Sequence, residues 1–599
     1  MELVLTRQSE TKVTVTCDDQ LSHSLDLQPL RLKNEKDEEE LLNDPVTYGK
    51  KLYAALFPPE TLAHRALADA PERILLVITD NDVDAVPWEY TYGPYGSEDS
   101  ESFLVQECHF VRGLPADQRV DAPRLDTSLH IVAVPSNPLS NELDPLDIDG
   151  EWMRLKESIE ALPYAITLER ARPPTIERLR HLVANQQHRV VHFMGHGGQD
   201  EKRGATLIFE QDNGDLDSVT ARQFVLRVRG AVFLVTLNAC FSANPGETLF
   251  SNLAAALIRQ KVPYALGMRF SILDDDARAF SRTFYDDLAR GTPVEEALRQ
   301  ARLTLANSTR PWVVGVPVLY TSLAQPAAGF TSLAGLPIIK EHQPRMGVSA
   351  LPRAEGAFQG RIDELKALGT ALTGDSRPPL MTIHGAGGQG KTALARETVE
   401  RFGYAWPGGV WATTLESLPS RELFVSDLAR FLGIDTQTVT DPDEVERQVL
   451  THLVHRRMLI VLDNAETLVE AVEANNDEAI RLAQFLREQL PRPPVSLLAT
   501  SRSFLGWTSE IGCELTGLAP VEGIKLFQQH ASQREKEIDH VKAWELTERV
   551  EGHPLSLRLL GSAFNVSAIS FSSFVKEHEA LLLKAEDKYR DVDHRQRTL

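Results

Sequence analysis

Residues 381–392 read MTIHGAGGQGKT. An apolar run enters a glycine-rich loop that ends in lysine and threonine. The following ALARETVERF carries its apolar residues at helical spacing. Gly385, Gly390, Lys391 and Thr392 meet the pattern G-x-x-x-x-G-K-[S/T], with Gly387 and Gly388 inside the loop. Glycines let backbone N–H groups close around phosphate oxygens, and the helix N-terminus adds favourable partial charge. Lys391 is expected to reach the β- and γ-phosphates, and the Thr392 hydroxyl to bind Mg²⁺. A strand, loop and helix in this order predict a P-loop α/β domain.

Two elements further along fit that frame. Residues 458–463 (MLIVLD) form an apolar strand ending in Asp463, which is suited to holding Mg²⁺. Residues 495–502 (VSLLATSR) form another, ending in Thr500, Ser501 and Arg502, where an arginine could sense a γ-phosphate. Asp463 is followed by Asn464, where many NTPases place a second acid to activate water. Glu466 is the nearby candidate to substitute, and without it hydrolysis should be slow.

The ordered set of FQGR at 358–361 with Glu364 and Leu365, GAGGQGKT, LIVLDNAE, LLATSR and GHPL at 552–555 resembles the STAND NTPases of the NB-ARC type. The resemblance implies an ATP/ADP switch with Mg²⁺. In it Arg361 lies near the adenine, Arg502 is the sensor arginine, and Pro554 packs on the nucleotide from a helical subdomain. It also implies self-association through the NTPase domain. HRQRTL at 594–599 resembles the opening of a winged helix, so the part that senses a signal is expected outside this chain.

The first 320 residues alternate buried apolar strands with amphipathic helices, a pattern of mostly parallel sheets covered on both faces. Expected strands lie at 73–79, 129–134, 189–194, 232–237 and 264–268, and helices at 151–162, 176–183, 249–259 and 277–288. Residues 322–357 are rich in Ala, Gly and Pro and read as a connection. The division expected is 1–325 for the first domain, 326–356 for a linker, 357–512 for the NTPase, 513–585 for a helical subdomain and 586–599 for the winged-helix stub.

GHGG at 195–198 follows the strand RVVHFM, and NACFS at 238–242 follows VFLVTL. Residues at the carboxyl ends of neighbouring parallel strands lie side by side in the ligand crevice. His196 and Cys240 can therefore form a base–nucleophile pair, with the Gly197 and Cys240 N–H groups facing an oxyanion. The plain alternative is that Cys240 packs in the core and His196 makes a structural hydrogen bond, as His192 does within its strand. Asp274–Asp276 reads as the start of a helix with Asp274 as its cap, rather than as a substrate cluster. Trp88 and Glu89 read as packing and hydrogen-bonding residues.

HFMGHGG and LNACFSA, with VPWEY at 86–90, Phe103-Leu104, Val111-Arg112, LGMRFSILDDDARAF from Leu266, FYDDLARGTPVEEALRQARLTL from Phe284 and PVLY at 317–320, resemble the CHAT family of caspase-like, clan CD cysteine peptidases. The resemblance spans nearly all of residues 1–325. It implies a caspase-like fold, a protein substrate, and His196 and Cys240 as the catalytic dyad. It also places the protein in a bacterial immune or regulated-death setting such as antiphage defence. Together the two halves predict a nucleotide-switched, signal-gated cysteine endopeptidase; the alternative is a nucleotide-switched scaffold with a non-catalytic CHAT domain.

A net charge of −22 over 599 residues opposes direct nucleic-acid binding, which needs a basic stripe, and so argues against a transcription regulator. Four cysteines make no disulfide framework, and no apolar run is long enough for a bilayer, so no membrane contact and a reducing cytoplasm are expected.

Overall fold

The strand Arg189–Met194 is buried along its whole length because both of its faces are covered. Val190 and Met194 pack with Trp152, Leu155, Phe280 and Phe284. The alternate residues Val191 and Phe193 pack with Leu179, Phe224, Leu253 and Leu257 on the other side. The computed structural model describes residues 1–97, 100–143, 146–184, 189–200, 204–228, 230–238, 249–270, 272–352, 356–436 and 441–577. These form two compact units that divide between His342 and Gln343, with residues 212–214 grouped with the second.

Among the described residues, the first unit builds a twelve-stranded sheet. From one edge the order is Ile338–Lys340, Thr167–Arg170, His130–Pro135, Arg189–Met194, Val232–Asn238 and Tyr264–Met268, all parallel. Pro317–Thr321 then pairs antiparallel to Tyr264–Met268, with Leu266 opposite Leu319. His109–Gly113, Arg73–Ile78 and Glu2–Arg7 continue parallel to that reversed strand, and Lys12–Cys17 and Gln20–Asp26 close the far edge as antiparallel turns of chain. Helices Ile148–Glu160, Asp274–Arg290 and Val294–Ala306 cover one face of the parallel half. Ile176–Val183, Ala221–Val228 and Leu249–Arg259 cover the other.

Two expectations are corrected here. Residues 326–342 are built into the first unit: Ala327 and Phe330 are buried in its core, and Ile338–Lys340 adds an edge strand. A three-residue strand is too short to show a period. Asp274 is the first residue of its helix, and Leu273 is the cap without a side-chain bond. The acids instead neutralise cations: Asp276 takes Arg310 at 2.5 Å and Asp274 takes Arg154 at 3.2 Å.

The VPWEY segment is structural. Trp88 Nε1 donates to the Val83 carbonyl at 2.9 Å, and the two Glu89 oxygens accept from Nε and Nη2 of fully buried Arg112 at 2.9 and 2.7 Å. Burial pushes the Glu89 carboxyl up, and Arg112 more than offsets it, so Glu89 sits below its ordinary value.

The second unit carries a parallel sheet in the order Met346–Gly347, Gly409–Thr414, Met458–Asp463, Val495–Ser501, Leu380–His384 and Glu510–Glu514. The strand that feeds the glycine loop thus sits beside the one ending at Ser501, which in turn sits beside the one ending at Asp463. Beyond the sheet, Pro520–His530, His540–Arg549 and Pro554–Val566 pack around Phe527, Leu546 and Phe564.

Candidate functional site

The strand Leu380–His384 is apolar and buried, and the loop leaves it at the carboxyl edge of the sheet, beside Asp463 and Ser501. Gly388 and Gly390 have φ of +76° and +86°, in the left-handed region that glycine adopts without strain. Gly390 caps the helix Lys391–Phe402, so the first free N–H groups of that helix face the loop. A Cβ on Gly387 would meet no atom within 4 Å, so this turn of the loop is open for a ligand to approach.

Lys391 Nζ donates to the carbonyls of Gly385 at 2.9 Å and Ala386 at 3.0 Å, inside the curve of the loop. Burial pushes its ammonium below the ordinary lysine value, and a phosphate would restore it. The Thr392 hydroxyl donates to Asp463 Oδ1 at 2.7 Å, and the Thr500 hydroxyl donates to the same oxygen at 2.6 Å. The hydroxyl and the carboxylate expected to hold Mg²⁺ are thus within one hydrogen bond of each other. A hard cation takes such oxygen ligands together with phosphate oxygens. These residues fit a Mg²⁺–nucleotide.

Arg361 sits beneath the loop with its guanidinium on the carbonyls of Gln389 at 3.2 Å and Thr516 at 2.6 Å, and it pairs with Glu364 at 2.9 Å. Arg502 pairs with Glu466 at 3.5 Å. Pro554 is the first residue of its helix, and its two neighbours touch the loop. His553 Nε2 is 2.9 Å from the Gly387 carbonyl, and the Leu555 N–H donates to Gly388 at 3.3 Å. The resemblance places Pro554 on the nucleotide and assigns no role to His553, which is the side chain that meets the loop. A histidine directly before a proline that opens a helix was the available signal.

In the first unit, Met194 pairs with Asn238 in the parallel register, so His196 and Cys240 each follow a matched strand end by two residues. Cys240 itself lies outside the described residues. His196 is buried, and its carbonyl accepts from the Ile208 N–H at 3.1 Å. That bond makes 196 and 208 the hydrogen-bonded pair of the hairpin, and Gly197 opposite Leu207 the non-bonded one. The Gly197 N–H is therefore directed away from its partner strand. Behind His196, His192 Nδ1 meets the Tyr285 hydroxyl at 2.5 Å, and Thr236 meets that hydroxyl at 3.2 Å. Burial pushes the His192 imidazole down to about 4, so it is a neutral structural group. Burial also pushes the thiols of Cys17, Cys108 and Cys513 up to about 11, 12 and 11, which leaves them protonated and inert.

Glycine loop, lysine, threonine and strand-end aspartate in this arrangement define a P-loop NTPase domain, joined in one chain to a separate α/β unit. An AAA domain is matched over residues 374–501. The CHAT domain is matched over residues 46–346, half of the chain, and the protein belongs to the CHAT domain family. An uncharacterized protein of Mycobacterium tuberculosis strain H37Rv is 26% identical over 209 residues, which is 34% of this chain and 49% of the relative. The chain thus spans about half the length of that relative. Among solved structures, a Walker-type ATPase of Pyrococcus abyssi is 13% identical with a TM-score of 0.28, covering 39% of this chain and 76% of that one. A STAND protein with a tetratricopeptide repeat sensor from Pyrococcus horikoshii is 19% identical with a TM-score of 0.26, covering 40% of this chain and 35% of that one. No helix among the described residues is long and apolar enough to cross a membrane.

Proposed function

We propose that this protein is a nucleotide-switched, signal-gated cysteine endopeptidase, in which a STAND-type ATP/ADP switch controls a CHAT effector. The observation that carries the reading is the pairing of Met194 with Asn238, which brings the ends of the two strands leading to His196 and Cys240 side by side. His196 takes the thiol proton of Cys240, and the thiolate attacks the scissile carbonyl carbon. The Gly197 and Cys240 N–H groups receive the oxyanion. His196 then returns the proton to the leaving amine, and water hydrolyses the thioester. Lys391, Thr392 and Asp463 hold nucleotide and Mg²⁺, with Arg361 and His553 bracing the loop. Bound ATP with Mg²⁺ supplies the charge that the switch reads. Self-association through the NTPase domain, in response to a signal sensed outside this chain, would bring the effectors together. Bacterial defence is the setting this combination suits.

The test is incubation of the protein with ATP, Mg²⁺ and a cellular lysate, comparing new protein termini between wild type and Cys240→Ala. Termini that depend on Cys240 and Lys391 support the peptidase and reveal its cleavage preference. Termini that survive Cys240→Ala refute the mechanism. A downstream response lost with Lys391→Ala but kept with Cys240→Ala identifies a nucleotide-switched scaffold instead.

A further inference from the structure

We propose that Glu466 is the water-activating base of the nucleotide site, and that Arg502 holds it idle until a γ-phosphate draws the guanidinium away. This rests on reading the second unit as an ATP site and deepens that reading.

Three acidic or amide groups follow one another at the end of the strand Met458–Asp463, and two of them are committed. Asp463 Oδ1 already accepts from Thr392 and Thr500. The Asn464 N–H donates to Thr500 Oγ1 at 3.0 Å, and its side chain reaches Thr414 Oγ1 at 3.5 Å. An amide cannot take up a proton, so Asn464 cannot serve as a base in any orientation. Glu466 opens the helix Glu466–Glu473, one turn further on. Its side chain is 14% exposed, and Oε2 is buried with no hydrogen-bond partner among the described residues. A buried carboxylate oxygen without a donor is costly and calls for an explanation. A water placed against a γ-phosphate would supply the missing donor.

The other oxygen, Oε1, faces Arg502 Nε at 3.5 Å. That contact is single and long, and the Arg502 side chain is 67% exposed. Such a pair is weak and easily exchanged. Glu466, Arg502 and Asp463 are also charges felt by Lys391, so all three lie near the lysine expected to meet phosphate. A terminal phosphoryl group carries more negative charge than one carboxylate and offers bidentate acceptors, so it outcompetes Glu466 for the guanidinium.

With Arg502 withdrawn, Glu466 takes a proton from the water whose oxygen attacks the γ-phosphorus. The bond from that phosphorus to the β-phosphate oxygen breaks, and that oxygen keeps the electron pair. ADP and orthophosphate result, Glu466 passes its proton to the departing orthophosphate, and Arg502 returns to the restored carboxylate when the orthophosphate leaves. One ion pair thereby links sensing of the third phosphate to the start of hydrolysis.

The test uses the full chain with Mg²⁺, as wild type, Glu466→Gln, Glu466→Asp and Arg502→Ala. It measures equilibrium binding of mant-ATP and mant-ADP, and phosphate release in a single turnover. Glu466→Gln should release phosphate about a hundredfold more slowly. It should bind mant-ATP about fivefold tighter, because a negative charge beside the γ-phosphate is gone, while mant-ADP binding stays within about twofold. Glu466→Asp keeps the charge but not the reach, so it should slow release without the tightening. Arg502→Ala should lose the preference between the two nucleotides. Release by Glu466→Gln within about threefold of wild type, or equal tightening of both nucleotides, overturns the proposal. If wild type binds both nucleotides but releases no phosphate, Glu466 activates no water and the proposal is overturned. If wild type binds neither, the ATP-site reading itself falls, and this proposal with it.

Discussion

His553 Nε2 lies 2.9 Å from the carbonyl oxygen of Gly387, so a residue of the helical subdomain is bonded to the glycine loop of the nucleotide domain. The Ser556 N–H donates to His553 Nδ1 at 3.3 Å, which leaves the ring proton on Nε2, where it donates to the loop. A Cβ on Gly388 would stand 2.7 Å from the same ring, so the loop and the histidine are closely fitted.

Removing this bond should loosen the loop. A net hydrogen bond contributes about 0.5–1.5 kcal/mol, so His553→Ala should speed mant-ADP dissociation by about two- to tenfold in stopped flow. An unchanged dissociation rate would show that the bond only stabilises the fold.

Asp463→Asn separates structure from metal binding. An amide oxygen can still accept from Thr392 and Thr500 at the present Oδ1 position, so the melting temperature should move by no more than about 2 °C. The lost charge should abolish the enhancement of nucleotide binding by Mg²⁺, read by calorimetry with and without the metal. Retained Mg²⁺ dependence would move the metal to other residues.

Arg112 is fully buried between Glu89 and Asp84, at 2.7 and 2.8 Å. Arg112→Met removes the only cation those pairs contain and leaves two carboxylates out of water. Breaking a buried pair in this way costs about 3–5 kcal/mol, to be read from the urea transition of the first unit. A loss under about 1 kcal/mol would mean that water or another cation reaches the site.

Acid should act on the first unit through two opposed groups. Burial holds the His192 imidazole at about 4 against an ordinary 6.5. The unfolded chain therefore binds the extra proton in that window, and stability falls by about 3 kcal/mol as pH drops from 6.5 to 4. Burial pushes the Glu151 carboxyl up to about 7 against an ordinary 4.5, despite Arg154. There the folded chain binds the extra proton, and stability falls as pH rises from 4.5 to 7. The two slopes largely cancel in wild type. His192→Gln should be more stable at pH 5 than at pH 7, and Glu151→Gln less stable at pH 5 than at pH 7, by urea midpoint. Matching slopes in the two variants would refute the assignment.

Much of this was written locally in the chain. The glycine loop, its lysine and its threonine are contiguous, and the strands Arg189–Met194 and Tyr264–Met268 are continuous apolar runs of the length a buried strand needs. What escaped the sequence depends on direction or distance. Pro317–Thr321 is marked in the sequence only by the CHAT resemblance, and nothing local in it tells that it runs antiparallel to Tyr264–Met268. The pair between Glu466 and Arg502 exists because the strands before them are neighbours in the sheet. The contact of His553 with Gly387 joins residues that only the folded subdomain brings together.

The reversal at Leu266 and Leu319 turns the strand ends of the first unit to two opposite rims. Strands Arg73–Ile78 and His109–Gly113 deliver their carboxyl ends to the rim opposite His196, where a polar cavity of about 620 Å³ opens among Ile78, Asp80, Leu114 and Arg259. Anything seated there would be on the opposite rim and also four to five strands across the sheet from the strand that leads to His196, at about 4.8 Å per strand. It could influence His196 only mechanically, by shifting strands or the helix Leu249–Arg259 that runs between the rims.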